Sequence, residues 1–277
     1  AATISSVFIV CLVPVQLWPH RNCSQHASAV RMISEKDKKI ATTATPRATR
    51  RRRSPWFSSV MNGARPHIIL SLVDDWGSYD AAYRMRELGR EPDLLTPTLD
   101  AFAANGVRLA NYYVQPICTP TRASLLSGRY SIHTGSEHIL FQPAEPSCLP
   151  SSYPLLPAAF KVLGYETAMI GKWHLGYPNA SCTPNGKGFD SFLGYYNGNE
   201  AYSSHYMGGH VDFHECAANE NQSTCDAGCA TSYAGRYSTE VYAERAQSLI
   251  AKRSQVGPGD SRPLFLYLAW QEGASLW

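Results

Sequence analysis

Three stretches of the chain are almost continuously apolar, and apolar residues recur with helical spacing between them. The apolar stretches are HIILSLV at 67–73, ETAMI at 166–170 and PLFLYLA at 263–269. Such stretches are typical of strands buried on both faces of a parallel sheet. The helical spacing occurs at 96–106, at 154–163 and at 238–253. Strands that alternate with helices in this way predict an α/β fold with a parallel sheet.

Weaker patterns lie between these elements. Residues 107–113 predict another strand, and a short helix after Pro120 is predicted to end at Gly128. Residues 175–235 are rich in Gly, Asn, Tyr and Ser. That composition is typical of long surface loops, which often carry binding residues.

Charge divides the chain into two parts. Residues 1–65 contain 11 Lys and Arg against 2 Asp and Glu, whereas residues 66–277 contain 14 against 20. We therefore predict a basic, disordered leader at 1–65 that precedes one mildly acidic domain at 66–277. The acidic balance of this domain gives no reason to expect nucleic-acid binding.

The leader contains two segments of interest. Residues 4–18 are mostly apolar over a length that suits the core of a signal peptide, with Ala27-Ser28-Ala29 as its cleavage site. The alternative is an unstructured leader. The run at 50–53 is four arginines, which we interpret as part of a solvated linker, with a processing site or a nucleic-acid patch as alternatives. No apolar run reaches about 18 residues, so no membrane-spanning helix is expected.

Cysteines and glycosylation sequons indicate the compartment. The chain has eight cysteines, several of them in loop-like sequence, and Asn-x-Ser sequons at Asn22, Asn179 and Asn221. Together they favour an oxidising, glycosylating environment, and hence the secretory pathway.

Polar residues that follow the predicted strands are candidates for chemistry. In an open α/β sheet, ligands gather beyond the carboxyl ends of the strands. Asp74 and Asp75 follow the first strand, and two adjacent carboxylates suit a hard divalent cation. The alternative is a strand-ending turn in which Asp is simply the first residue.

Two further candidates have the same placement. Cys118 lies at a helix start with Arg122 one turn later, which suits an activated nucleophile beside an anion; the alternative is a disulfide or a buried cysteine. Lys172 and His174 follow a strand end and alternate along an extended backbone, so that both can face one cavity. Lysine supplies positive charge and histidine a proton, although a lone Lys-x-His is usually surface decoration.

These segments resemble the sulfatase family. PICTPTRASLLSGR at 116–129 resembles its Cys-x-Pro-x-Arg signature, and GYETAMIGKWH at 164–174 resembles its second signature. The order of Asp-Asp, Cys-x-Pro-x-Arg and Gly-Lys-Trp-His is also that of the family. GFDSFLGY at 188–195 and PLFLYLA point to its arylsulfatase branch. The resemblance covers about residues 66–270.

The resemblance implies a fold. That fold is an alkaline-phosphatase-like sandwich with a largely parallel central sheet flanked by helices. Residues 66–277 would be the N-terminal portion of a truncated sulfatase catalytic domain. It further implies two disulfides, one between Cys148 and Cys182 and one between Cys216 and Cys225.

The resemblance also implies a mechanism. Cys118 would be converted to formylglycine by the formylglycine-generating enzyme, and the hydrated aldehyde would attack the sulfur of a sulfate ester. Calcium would be bound by Asp74, Asp75 and the modified Cys118. Arg122 would steady the formylglycine, Lys172 would bind sulfate, and His174 would assist proton transfer.

Parts of the family pattern are missing. The family completes its calcium site with an Asp-Asn pair from a later strand, and this sequence contains no Asp-Asn dipeptide. The family also has a substrate-binding histidine after the strand that matches 263–269, and residues 271–277 contain none. Two carboxylates and one modified residue would leave calcium short of its usual six to eight oxygen ligands.

The sequence therefore predicts a sulfuric ester hydrolase of the secretory pathway, lysosomal or extracellular, that acts on sulfated carbohydrates or aryl sulfate esters. The alternative is a catalytically inactive truncated sulfatase that binds an anion or a partner. A metal phosphatase or phosphodiesterase of the same wider superfamily is disfavoured by the Cys-x-Pro-x-Arg segment, because phosphoryl transfer there uses an unmodified hydroxyl.

Overall fold

The computed structural model describes the backbone of residues 6–12 and residues 65–77, 79–109, 112–137, 140–217, 230–255 and 262–271. The strands are β1 (Ser6–Leu12), β2 (His67–Val73), β3 (Glu166–Lys172), β4 (Ser191–Tyr195), β5 (Tyr206–Met207), β6 (His210–Val211), β7 (His214–Cys216) and β8 (Leu264–Trp270). The α-helices are α1 (Ala82–Glu87), α2 (Pro97–Asn105), α3 (Cys118–Ser127), α4 (Ser131–Thr134), α5 (Leu156–Val162) and α6 (Ser238–Gln255).

Six of the strands form one sheet. Their order is β1-β2-β8-β3-β4-β7, and every neighbouring pair is parallel except the antiparallel pair of β4 and β7. The strands β5 and β6 form a separate antiparallel pair. The last strand of the chain, β8, therefore lies between β2 and β3, which are the two strands that lead into the candidate site.

Helices cover both faces of this sheet, which explains the continuous apolar pattern of β8. Phe265 and Tyr267 point into a cluster that contains Ala123 and Leu126 of α3. The alternate residues of β8 pack in a second cluster with residues of α6, namely Leu264, Leu266 and Leu268 with Val241, Tyr242 and Ala246. A strand buried on both faces needs an apolar residue at every position.

Glycines allow the strands to approach closely near the candidate site. A Cβ atom on Gly171 would lie 1.8 Å from the carbonyl oxygen of Ala269, and one on Gly194 would lie 2.1 Å from the carbonyl oxygen of Gly171. Both glycines also have positive φ, at +99° and +154°. Side chains at these positions would push β8, β3 and β4 apart at their carboxyl ends.

Most of the predicted elements are confirmed. The predicted strands at 67–73, 166–170 and 263–269 correspond to β2, β3 and β8. The helices predicted at 96–106, 154–163 and 238–253 correspond to α2, α5 and α6. The short helix predicted after Pro120 corresponds to α3, which begins earlier, at Cys118, and ends at Ser127 as expected. The expected disulfide between Cys148 and Cys182 is present. Cys216 is also disulfide-bonded, but Cys225 lies outside the described residues, so that pairing stays a prediction.

The strand predicted at 107–113 is wrong. Residues 107–109 and 112–113 form no strand, and the side chain of Val107 is 90% exposed. The position beside β2 is occupied instead by β1, which pairs from Ser6 opposite His67 to Leu12 opposite Val73. Two apolar segments suit the same sheet edge, and only one of them pairs there.

Residues 175–235 are not only surface loops. They contain β4 and β7, which extend the central sheet, and Phe192 and Tyr195 of β4 are fully buried. Glycines and asparagines around this short strand dominate the composition of the segment, so the composition did not indicate a strand.

The leader is described only in part. The backbone of residues 6–12 forms β1, which differs from the disorder expected there. An apolar segment rich in β-branched residues is suited to pairing with an open strand edge. Residues 13–64, with the proposed cleavage site and the arginine run, lie outside the described residues, and the domain boundary near 65 stays a prediction. Within the described part, none of the helices combines the length and apolar character that crossing a membrane requires.

Candidate active site

The carboxyl end of β2 places Asp74 among three groups predicted from the sequence. Asp74 is 7% exposed, and Arg122 Nη2 lies 3.0 Å from its Oδ1. The Nζ atom of Lys172, at the end of β3, forms a second ion pair with Oδ2 of the same carboxylate. Asp74 thus holds two buried cations that arrive from different elements.

The charges of this cluster balance the cost of burial. Burial alone would raise the pKa of Asp74, but Arg122 and Lys172 hold that pKa below its usual range. Asp74 is therefore ionised across the physiological pH range. A buried cation without a partner costs several kcal/mol, so Asp74 allows the fold to keep Arg122 and Lys172 charged at this position.

Cys118 lies against the same cluster at the first residue of α3. Lys172 Nζ donates to its Sγ atom over 3.2 Å, and Sγ lies 3.8 Å from Asp74 Oδ2. Burial raises the pKa of the Cys118 thiol, so the side chain is a protonated thiol near neutral pH. The structure therefore does not support an activated thiolate, although Cys118 is a free cysteine.

Arg122 joins three strands at the base of the site. It is 1% exposed, and its Nη1 atom donates to the backbone oxygen of Lys172 over 2.8 Å and to the hydroxyl of Tyr267 over 3.3 Å. The spacing of four residues on α3 brings Arg122 beneath Cys118. Tyr267 could not be singled out from the sequence as a site residue, because every position of β8 is apolar or aromatic.

His174 follows β3 in a left-handed conformation, with φ at +55°. Its backbone oxygen accepts a hydrogen bond from Thr119 Oγ1 of α3 over 3.1 Å, which holds it beside the residue after Cys118. Its ring Nε2 lies 3.2 Å from the backbone oxygen of Phe141, and Nδ1 is buried without a hydrogen-bond partner among the described residues. Burial, together with the positive charges of Lys172 and Arg122, lowers the pKa of His174 to about 3.

Asp75 provides a third group with metal-ligating chemistry. One ligand atom each from Asp74, Asp75 and Cys118 lies within 4.8 Å of the others. Burial and the charge of Asp74 raise the pKa of Asp75, and a divalent cation beside both carboxylates would relieve that repulsion. These residues fit a hard cation, although three donors are fewer than calcium usually takes.

The structure thus brings together the residues that the sequence singled out. Asp74, Cys118, Arg122 and Lys172 touch one another, and a small cleft lined by Asp75, Pro116 and Ile117 opens onto Cys118. His174 is held beside them through the hydrogen bond from Thr119 to its backbone oxygen. The charges of Arg122 and Lys172 are offset by the carboxylates of Asp74 and Asp75, so attraction for an anion next to residue 118 would come from Lys172 Nζ, from the open start of α3 and from a cation held by the two carboxylates.

These features define a member of the sulfatase family, and comparison with known proteins agrees. The family model described as Sulfatase matches residues 66–273, so the chain belongs to that family. The chain is similar to mouse arylsulfatase J, with 41% identity over 75% of this chain and 32% of that protein. It is also similar to human arylsulfatase A and human N-acetylgalactosamine-6-sulfatase, at 37% and 38% identity over 47% of this chain and 25% of each protein. The chain therefore spans between a quarter and a third of these relatives.

Solved structures agree on the fold. Ps i-CgsB, crystallised in complex with k-i-k-neocarrahexaose, matches with a TM-score of 0.63 and 23% identity over 76% of this chain and 46% of that chain. The PsFucS1 sulfatase from Pseudoalteromonas sp. matches with a TM-score of 0.54 and 19% identity over 78% and 46%. The expected alkaline-phosphatase-like fold, with a mostly parallel sheet flanked by helices, is thus confirmed for the part of it that this chain contains.

Proposed function

We propose that this chain carries the nucleophile-bearing part of a sulfuric ester hydrolase. The observation that supports this most directly is the contact of Cys118 with Lys172 and Asp74, above the buried Arg122. Family membership supports the class of reaction. The proposed catalytic residues are Cys118, Arg122 and His174, and Lys172 is the proposed sulfate-binding residue.

The nucleophile in this proposal is formylglycine, made from Cys118. Its hydrated aldehyde supplies two hydroxyls on one carbon, whereas the thiol is protonated and therefore a poor nucleophile. Lys172 Nζ, at 3.2 Å from Sγ, is placed to bind a sulfate oxygen beside residue 118. Arg122 keeps the backbone of Lys172 and the carboxylate of Asp74 in register through its two hydrogen-bonded Nη atoms.

Calcium is the proposed cofactor. Held by Asp74, Asp75 and the modified residue 118, it would supply positive charge toward the sulfate oxygens. Asp74 contributes twice in this proposal, because it also neutralises Lys172 and Arg122. Asp75 has no such cation in contact, and its raised pKa marks it as the carboxylate that gains most from the ion.

The proposed substrates are sulfated carbohydrates or aryl sulfate esters. The names of the relatives, arylsulfatase and N-acetylgalactosamine-6-sulfatase, support both classes. Conversion of Cys118 would require the formylglycine-generating enzyme, which places maturation in the secretory pathway, with the lysosome or the extracellular space as destination. The disulfide between Cys148 and Cys182 supports an oxidising compartment.

A second candidate function is an inactive fragment that binds an anion or a partner. It is favoured by the ligand set, because the group formed by Asp74, Asp75 and Cys118 among the described residues offers fewer ligands than calcium usually takes. Both candidate functions use the cluster of Asp74, Cys118, Arg122 and Lys172. They differ in whether a sulfate ester is cleaved.

The test uses protein secreted from animal cells. Mass spectrometry of the peptide that contains Cys118 is expected to show the aldehyde mass, and the purified chain is expected to hydrolyse an aryl sulfate ester. Cys118→Ala should abolish hydrolysis, whereas Ser127→Ala, on the same helix, should not. An unmodified thiol throughout would remove the formylglycine proposal. Equal rates for the wild type and Cys118→Ala would favour the anion-binding fragment.

A further inference from the structure

We propose that Gly198 and the backbone carbonyl of Phe141 position the ring of His174, so that its buried Nδ1 atom is an unprotonated hydrogen-bond acceptor. The inference rests on the proposed function for the chemistry that Nδ1 performs. The position of the ring itself rests on the contacts of His174 with Phe141, Thr119 and Gly198.

The partner of Nε2 fixes the tautomer. Nε2 lies 3.2 Å from the carbonyl oxygen of Phe141, and a carbonyl oxygen can only accept a hydrogen bond. The Nε2 atom must therefore carry the hydrogen and donate it. In a neutral imidazole the other nitrogen then holds a lone pair, so Nδ1 is an acceptor.

Nδ1 is buried, and it has no hydrogen-bond partner among the described residues. His174 is only 4% exposed, so water does not freely satisfy this atom. Buried polar atoms in native proteins nearly always have a partner, and an exception calls for a specific explanation. The Thr119 hydroxyl fixes the His174 backbone next to α3, and a hydroxyl on a modified residue 118 would be a donor of the type that Nδ1 lacks.

Gly198 gives the ring its space. A Cβ atom at this position would lie 2.9 Å from His174 Cε1 and 3.0 Å from Nε2, which is closer than side chains pack. The backbone of Gly198 does not have positive φ, so alanine is allowed there by backbone conformation. The requirement for glycine at 198 therefore comes from the imidazole ring alone.

In the proposed reaction, one proton moves from residue 118 to the ring of His174. A hydroxyl on residue 118 gives its proton to Nδ1, and the electron pair of the O–H bond stays on that oxygen. The ring becomes an imidazolium that carries hydrogen on both nitrogens and keeps its bond to Phe141. No oxidant or further reactant is needed.

The first experiment measures the tautomer in the wild-type protein. Long-range ¹H–¹⁵N correlation spectra of the nine-histidine chain, assigned by subtraction of a His174→Ala spectrum, are expected to show His174 with hydrogen on Nε2. Hydrogen on Nδ1 would overturn the inference. This measurement needs neither formylglycine nor sulfate hydrolysis, so it stands even if the proposed function fails.

The second experiment moves the ring. Gly198→Ala is expected to shift the His174 ring signals and to bring in the other tautomer, because the added methyl group displaces Nε2 from Phe141. The control is Ser204→Ala, at an exposed position of the same segment. Unchanged His174 signals in folded Gly198→Ala would overturn the role of Gly198. If Gly198→Ala does not fold, the tautomer measured in the wild type still tests whether Nε2 or Nδ1 carries the hydrogen.

The third experiment tests the chemistry in hydrolytically active protein. Gly198→Ala is expected to lower kcat about a hundredfold with KM within about twofold, which is the range of a lost general base. The same substitution in a His174→Ala background should change kcat less than about twofold. An equal loss in both backgrounds would show that Gly198 does not act through His174. If wild-type protein hydrolyses no sulfate ester, the proposed function fails while the tautomer result is retained.

Discussion

Asp74 and Glu200 are buried to the same extent, yet their surroundings drive their pKa values in opposite directions. Their side chains belong to residues that are 7% and 6% exposed. Asp74 has a guanidinium and an ammonium in contact, and its pKa lies below the usual range. Burial raises the pKa of Glu200 to about 8, and the hydrogen bonds that it accepts from the neutral hydroxyls of Ser238 and Tyr242 lower that pKa too little to offset burial. The number of cationic partners, rather than burial, decides whether a buried acid is charged.

The neighbours of Glu200 suit a neutral carboxyl. His205 Nε2 donates to the oxygen of Tyr233, which leaves Nδ1 as a lone pair 3.3 Å from Glu200 Oε2. A protonated Oε2 can donate to that nitrogen. The pKa of His205 is lowered by burial, so this contact joins two neutral groups. The Glu200 cluster thus ties the start of α6 to the segment before β5, whereas the Asp74 cluster keeps its charges beside a cleft.

The largest expected effect is that of Asp74→Ala. Removal of this carboxylate leaves Arg122 and Lys172 buried without a counter-ion, so the free energy of unfolding should fall by about 3–5 kcal/mol. Urea unfolding followed by circular dichroism measures the change.

The adjacent acid is the matched control. Asp75 is half-buried, and its raised pKa comes from burial and repulsion by Asp74. Asp75→Asn should change the free energy of unfolding by about 1 kcal/mol or less. Equal losses at both positions would contradict the view that Asp74 stabilises the two cations.

The second prediction concerns pH. The pKa of Glu200 rises from 4.5 to about 8 on folding, so between these values the folded chain binds more protons than the unfolded chain. Stability should therefore fall as pH rises, by about 1.4 kcal/mol per pH unit from this group. Glu200→Gln, whose amide oxygen can still accept from Ser238 and Tyr242, should lose this change of the free energy of unfolding with pH.

The free energy of unfolding is measured at several pH values between 5 and 8 for the wild type and for Glu200→Gln. The difference between the two is followed against pH, so that the contributions of other titratable groups cancel. A difference that stays constant with pH would mean that Glu200 is charged in the folded protein, and its contrast with Asp74 would disappear.

The smallest expected effect is at Tyr195, whose pKa is raised by burial and by the charge of Asp74. Its hydroxyl is buried and has no hydrogen-bond partner among the described residues. Tyr195→Phe should therefore leave stability unchanged or raise it by about 1 kcal/mol.

Tyr267→Phe provides the contrast, because the Tyr267 hydroxyl accepts from Arg122 Nη1. That substitution should cost about 1 kcal/mol. The unfolding midpoints of the two variants distinguish these cases, and a loss at Tyr195 as large as that at Tyr267 would indicate that the Tyr195 hydroxyl has a partner.

The fold was predictable where burial imposes a pattern. β2, β3 and β8 have helices or strands on every side, and their continuous apolar sequence reports that burial. Local sequence did not reveal that residues 6–12 pair with β2, because an apolar segment of this length suits a signal peptide as well as a strand, and the pairing depends on a partner distant in sequence.

The site was predictable where function requires a particular side chain. Asp74, Cys118 and Lys172 were found from their positions after strands and from a family resemblance. Phe141 contributes only a backbone oxygen, and Gly198 contributes only empty space. Neither role depends on a reactive side chain, so neither could be recognised from the sequence, and only the three-dimensional structure reveals them.

The insertion of β8 between β2 and β3 has a consequence for biosynthesis. Tyr267 and the sheet that joins Asp74 to Lys172 cannot form until residue 270 has left the ribosome. At about 5–20 residues per second, roughly 8–30 seconds separate the synthesis of Cys118 from that moment. During this interval the thiol lies on a nascent chain without its neighbours, so the topology itself provides a time window in which an enzyme can reach a residue that folding later leaves only partly exposed.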